Sequence, residues 1–434
     1  MKPTKGHTLK LLDSVFKYIT AALVIFIPLY PKFPLFTLPF TYVAIRAEDF
    51  LIATASAILI VKLLVNKQKL PKISYQIFVF LLVGLVSTVS ANFVTKTVDL
   101  PLSILHLLRR FEYIAAFFIL YFASQDSANR LYYIKLSLIS SLGVLAYGLA
   151  QIFLEAPVIS TMDSESSKGM ALTLRPGVML NSTFAGHYDL AIYLIMIMTF
   201  IAAISFASKN KYLKIGAIIP FWALLWLFMQ AGSRIGLLGL TASLLALGYY
   251  YKKLMVSFLY LSVVIATIFT SPQYIARFQN IINVIKVKIS LVDVLSVHAA
   301  ESTPTRAIQS DTSTSIRFDV EWPRAIRAFT KNPLLGTGYS SISLATDNDY
   351  LRLLGEVGVL GFLSFISLLI YIYNHLLVLL KTSKGINKYI NTSVYGIFLA
   401  FIISAIFIDV FESSKIAILF WSFIGLAFST GKTA

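Results

Sequence analysis

The sequence predicts an all-α, polytopic integral membrane protein with one large helical loop on its outer side. Composition is the first sign: of 434 residues, 57% are hydrophobic and 13% charged, with a mean hydropathy of +0.78. Soluble domains carry about 25% charged residues. Apolar runs are the second: segments of about 20 residues, the length that crosses a bilayer core, recur about twelve times. The third is a charge alternation between the loops that follows the positive-inside rule.

Taken in order, spans are expected at 13–30, 48–65, 74–91, 104–124, 131–154, 188–207, 212–230, 235–251, 254–271, 356–380, 391–409 and 415–430. Met1 to Lys17 is basic and precedes an apolar run. No small-residue cleavage site follows, and further spans come at once, so it reads as part of a first span rather than a signal peptide. With the N-terminus inside, the inner loops collect Lys2, Lys5 and Lys10; Lys67, Lys69 and Lys72; Arg130; Lys209, Lys211 and Lys214; Lys252 and Lys253; Lys381, Lys384 and Lys388; and Lys432. Both termini are then cytoplasmic, and the long polar loops 155–187 and 272–355 share the outer face. Three parts follow: residues 1–271 with nine spans and short outer loops, the extracytoplasmic loop 272–355, and residues 356–434 with three spans.

Composition also excludes chemistry. There is no cysteine, which removes disulfides, thiolate catalysis and Cys-ligated metals. The five histidines form no HExxH element and no close pair, so no zinc site and no cofactor are expected. The formal charge of +17 would raise nucleic acid as a partner of a soluble protein. Here topology accounts for most of the lysines, and the expected partners are membrane lipids.

The large loop is instead rich in arginine: Arg277, Arg306, Arg317, Arg324, Arg327 and Arg352, with Lys286, Lys288 and Lys331 beside them. Long loops translocate largely regardless of charge. A guanidinium offers a planar fork to phosphate where lysine is a point charge, so the loop reads as a site for an anionic, sugar-bearing lipid. Residues 315–330 have helical spacing, with Ile316 and Val320 on one face and Arg317, Glu321 and Arg324 on another. Pro323 bends this helix or starts a second one. Asn332-Pro and Gly336-Thr-Gly338 mark turns. A further helix begins at Asp347, capped by Asp347 or Asn348.

Ionisable groups within spans are expensive and point to function. Arg109 and Glu112 share one face of the fourth span, and Arg110 and Tyr113 another. Arg46, Glu48 and Asp49 open the second span; Asp409, Glu412 and Lys415 frame the last outer turn. Arg175 is a candidate phosphate ligand. His187 and Asp189 open the sixth span, as general base and hydrogen-bonding group or simply as helix caps. Arg234 lies at the outer mouth between two tightly joined spans, within reach of a lipid phosphate.

Leu108-Arg-Arg-Phe-Glu-Tyr, Phe184-Ala-Gly-His-Tyr-Asp-Leu, Gly232-Ser-Arg-Ile-Gly and the stretch from Arg317 to Gly361 occur in this order. The last contains Asn332-Pro-Leu-Leu-Gly-Thr-Gly-Tyr and Glu356-Val-Gly-Val-Leu-Gly. Together they resemble the O-antigen polymerase and ligase superfamily of bacterial inner-membrane glycosyltransferases, the Wzy and WaaL type. The resemblance implies a GT-C-like fold, an extracytoplasmic active site and an undecaprenyl-diphosphate-linked oligosaccharide as substrate. It also implies a chain-length regulator and a flippase as partners, with no metal. The family's outer-loop arginines map by motif onto Arg175, Arg234 and Arg317. Ligases carry a His before the Asn of a His-Asn-x-x-Leu element; this chain has Asp347-Asn-Asp-Tyr-Leu, which resembles the exopolysaccharide or capsule polymerase branch.

The expected reaction is inverting glycosyl transfer. Arg175, Arg234 and Arg317, with Arg110 and Arg109 behind them, are expected to stabilise the departing diphosphate. Asp347 and His187 lead as acceptors of the hydroxyl proton, with Asp189 and Asp349 next. Asn348 and Tyr350 orient sugar or helix, and Trp322 and Tyr339 stack on sugar or pack in the core. A ligase acting on lipid A core or another acceptor shares almost every residue. A flippase would also need many spans and arginines, but the chain shows no two-half symmetry and concentrates its polar mass on one face.

Overall fold

The computed structural model describes residues 5–37, 44–160, 170–172, 179–270, 316–342 and 345–431. It is helical almost throughout. The first nine helices are α1 (Lys5–Leu29), α2 (Ala47–Asn66), α3 (Ser74–Phe93), α4 (Leu100–Ala123), α5 (Ser127–Phe153), α6 (His187–Ala207), α7 (Lys211–Ala231), α8 (Arg234–Tyr250) and α9 (Leu254–Thr270). A π-helical turn (Arg317–Glu321) leads into α10 (Trp322–Lys331), followed by α11 (Asp349–Thr382), α12 (Gly385–Ser404) and α13 (Ser414–Phe428). Two short antiparallel hairpins, β1 (Pro34–Thr37) with β2 (Ala44–Arg46) and β3 (Val158–Ser160) with β4 (Met170–Leu172), decorate the loops.

Each expected span falls on one of these helices. Among the described residues, 7 helices are long and apolar enough to cross a membrane by length and composition: α1, α3, α5, α6, α7, α11 and α12. Helices α8, α9 and α13 are apolar but shorter. α2 and α4 are apolar helices that carry Glu48, Asp49 and Lys62, and Arg109, Arg110 and Glu112.

α6 is apolar on every side, which suits a helix enclosed by others. It is buried over nearly its whole length and packs on α7, α8 and α12. Between helices in lipid there is no hydrophobic drive, and close packing of small residues replaces it. At Gly425 on α13, a Cβ would lie 2.2 Å from the Phe117 carbonyl oxygen of α4.

Antiparallel succession brings the expected outer loops to one end of the bundle. There the Lys415 ammonium donates to the carbonyls of Tyr30 and Thr183, and Arg109 to that of Ala44. At the other end Arg130 donates to Ser124, Gln125 and Ser429 carbonyls, and Lys62 pairs with Asp13 at 2.8 Å.

Pro323 resolves as a helix start. It sits in the first turn of α10, where its missing N–H costs nothing, directly after the π turn. α11 is broken at Gly358, with φ 66° and ψ −169°. The break receives the Asn332–Tyr339 loop. Thr337 and Gly338 donate to the carbonyls of Gly355 and Glu356 at 2.9 and 2.8 Å, and Val359 and Leu360 donate to those of Pro333 and Leu334 at 2.8 and 3.2 Å. These bonds satisfy groups that the break would orphan. Gly336 and Gly358 both have positive φ, and a Cβ on either would come within 2.4 Å of the other segment's backbone.

Candidate active site

Arg317 is the centre of a candidate site at the end of the bundle where the expected outer loops meet. It is buried, at 6% exposure, although its neighbours Ile316 and Val320 on the same short helix are exposed. Its Nε and Nη2 donate to Asp347 Oδ2 at 2.9 and 2.7 Å. Nη2 also reaches the Tyr188 hydroxyl at 3.4 Å, with the guanidinium carbon 5.9 Å from the Tyr188 ring centre. The Tyr188 ring in turn lies 4.0 Å from that of His187. The structure therefore joins three elements that the sequence leaves apart: the π turn, the start of α6 and Asp347, two residues before α11. Asp347 has φ +48°, a conformation that short polar side chains tolerate best after glycine. Burial pushes the Asp347 carboxyl up from its ordinary value, and Arg317 pulls it back. Arg317 is held above its usual range by Asp347 and Tyr188 against the cost of burial.

The residues that follow Asp347 are engaged within the protein. Asn348 caps α11, its Oδ1 accepting from the Leu351 amide at 3.0 Å. Asp349 is buried and accepts from the Phe411 amide at 3.0 Å. The Tyr350 hydroxyl donates to the Ile402 carbonyl at 3.0 Å. One turn on, Arg352 pairs with Asp409 at 2.7 Å and with Glu356 at 3.4 Å. Asp409 also accepts from the amides of Thr346 and Asn348 at 2.8 and 3.1 Å. This charged layer fixes the start of α11 against the α12–α13 turn.

A second layer lies beside it. Arg110 points into the bundle, pairs with Glu412 and donates to the Phe411 carbonyl at 3.2 Å. It covers the buried Tyr339 ring, 5.1 Å from its centre, so Tyr339 is a packing residue. A cavity of about 40 Å³ borders Arg110, Asp349, Phe411 and Glu412, enough for water but not for a sugar ring. Arg109 lies among Asp49, Glu112 and Tyr113. Asp189 faces Lys32 at 3.8 Å; burial lowers the Lys32 ammonium, and Asp189 opposes that shift. Arg234 stands first on α8, directly after Gly232 in a left-handed conformation and the capping Ser233, whose Oγ accepts from the Gly236 amide at 3.0 Å. Trp322 stacks edge-on with Phe318, ring centres 4.6 Å apart. Arg175 lies outside the described residues, as do Arg277, Arg306, Lys286 and Lys288.

Sequence reasoning missed Tyr188 and Lys32. Tyr188 sits between His187 and Asp189, and that position was its only signal. It also left Arg110 without a partner, although Glu412 was the unmatched carboxylate of an outer turn.

Residues 219–366 match the family model described as O-antigen ligase, Wzy_C. The match supports the Wzy/WaaL polymerase and ligase superfamily, and it takes in Arg234, Arg317 and the Asp347–Gly361 stretch. No curated protein matches the chain significantly.

Proposed function

We propose, from that superfamily, that the chain is a polysaccharide polymerase joining undecaprenyl-diphosphate-linked repeat units by metal-independent inverting glycosyl transfer. In this reading twelve helices span the bacterial inner membrane in a GT-C-like arrangement, with both termini cytoplasmic. The site then faces outward, where lipid-linked oligosaccharide arrives. The observation that carries the reading is the buried Arg317, clamped by Asp347 and Tyr188 beside His187 at the expected outer end. A preorganised cation is worth most where charge grows in the transition state. Arg317, with Arg234 and Arg175, is assigned to the diphosphate as it leaves.

Asp347 stands where ligases of the superfamily carry His, which supports the polymerase branch over the ligase. Its carboxylate orients Arg317, while His187 lies against the Tyr188 ring that meets the same guanidinium.

The test is a strain lacking the gene, read for undecaprenyl-diphosphate-linked glycan and for the surface polysaccharide ladder. Accumulated single repeats without long polymer are expected. Complementation with Arg317→Ala is expected to leave an inserted protein and no polymer, a loss of about 2–4 kcal/mol of transition-state stabilisation. Long polymer retained on undecaprenyl diphosphate would make the chain a ligase. Single repeats trapped on the cytoplasmic leaflet would make it a flippase.

A further inference from the structure

The expected carboxylate bases all have partners: Asp347 holds Arg317, Asp349 the Phe411 amide, and Asp189 faces Lys32. Another carboxylate stands on the same turn as Arg317. Glu321 closes the π turn, and its Oε2 is shielded from water with no hydrogen-bond partner among the described residues. Two donors beside it share that condition, Trp322 Nε1 and Arg324 Nη1. A buried polar group left unbonded costs about 1–3 kcal/mol, more when charged. Native structures rarely tolerate one without a reason, and here three stand within four residues. The indole cannot swing freely, since its ring lies against Phe318 and Phe407, centres 4.6 and 6.4 Å away.

The π turn explains the placement. Such bulges recur at functional sites because they re-aim side chains within a helix. Glu321 and Arg324, three residues apart, share one face. The charges that Glu321 senses are Arg317 on its own turn, Arg324 on α10, Asp347 before α11, and Asp409 after α12. One acceptor and two N–H donors complement the hydroxyls of a sugar ring, each of which both donates and accepts.

We propose that Glu321, Trp322 and Arg324 form the subsite for the attacking sugar, with Glu321 accepting the proton of its hydroxyl. The assignment rests on the glycosyl-transfer reading above. The hydroxyl proton passes to the Glu321 carboxylate as the oxygen's electron pair forms the new bond to the anomeric carbon. The bond from that carbon to the diphosphate oxygen breaks, and its electron pair leaves with the diphosphate. Glu321 later returns the proton to solvent. Burial, with repulsion from Asp347 and Asp409, pushes the Glu321 carboxyl up to about 7, while Arg317 and Arg324 pull it down. A base that titrates near the working pH is an efficient one.

Membranes holding the full-length chain are supplied with undecaprenyl-diphosphate-linked oligosaccharide extracted from a strain lacking the gene. Wild-type membranes are assayed first, and no product from them would overturn the glycosyl-transfer reading itself. With wild-type product in hand, Glu321→Gln is expected to lower kcat about 10²–10⁴-fold. It should also abolish the rise in activity with pH near 7. Glu321→Asp keeps that rise and part of the rate. Trp322→Phe and Arg324→Gln raise KM with a smaller change in kcat. Wild-type kcat in Glu321→Gln overturns the assignment. So does a pH limb that persists in that variant, since it then belongs to another group. If Glu321→Gln inserts poorly, wild-type rate and KM in both Trp322→Phe and Arg324→Gln overturn it.

Discussion

Arg317 keeps its position through one carboxylate oxygen and one phenol. The two bonds to Asp347, at 2.9 and 2.7 Å, are charge-assisted, and the bond to Tyr188, at 3.4 Å, is long. Charge-assisted bonds are roughly twice as strong as neutral ones. Tyr188→Phe is therefore expected to cost about 0.5–1.5 kcal/mol, less than or near tenfold in polymer yield. Loss comparable to Arg317→Ala in the same ladder assay would mean that Tyr188 itself contacts substrate. The sequence singles out Arg317 through the family motif it falls in and Asp347 through the Asp-Asn element at a helix start. Their partnership was not legible, since pairing across a loop leaves no periodic trace. The same holds for Arg110 and Glu412, 302 residues apart. Breaking one such buried pair costs about 3–5 kcal/mol, so their role is to hold the fold as much as to serve the site.

At the scale of elements, the most informative junction joins the Asn332–Tyr339 loop to the break in α11. Gly358 has φ +66°, and a Cβ there would meet the Leu334 carbonyl oxygen at 2.4 Å. Gly358→Ala carries about 1–3 kcal/mol of backbone strain, since φ 66° with ψ −169° lies in a region essentially confined to glycine, plus the displacement of the loop. A lowered melting temperature in detergent is expected, with Gly216→Ala as the control, since nothing lies within 4 Å of a Cβ at Gly216. Equal melting of the two variants would mean that the break is not strained against its loop. The two glycine-bearing stretches were visible as motifs, but not that each exists to admit the other. The amphipathic reading of 315–330 found the right faces and left their direction open. Ile316 and Val320 are 47% and 41% exposed while Arg317 is 6% exposed. In a membrane protein the polar face is the one that needs partners from the bundle.

The helical, polytopic character of the whole molecule was the most legible level, because span length and composition are set by the bilayer rather than by particular neighbours. Every expected span lies on a helix, and among the described residues 7 of these helices are long and apolar enough to cross a membrane. The chain contains no cysteine, so single introduced thiols report sidedness without a background. Lys96→Cys, between α3 and α4, is expected to react with an impermeant maleimide in intact cells. Lys209→Cys, between α6 and α7, is expected to react only after permeabilisation. Equal labelling of both in intact cells would overturn the proposed topology.

The junction at Gly358 also has a mechanical side. Under the proposed reaction, a long hydrophilic product pulls on the loops beside the site as it grows. The strand-like exchange between Pro333–Gly338 and Gly355–Leu360 ties one such loop to α11 at its break, so a lateral pull on the loop would be passed to the helix. Several backbone bonds share that pull at once, so the loop keeps its register against the helix.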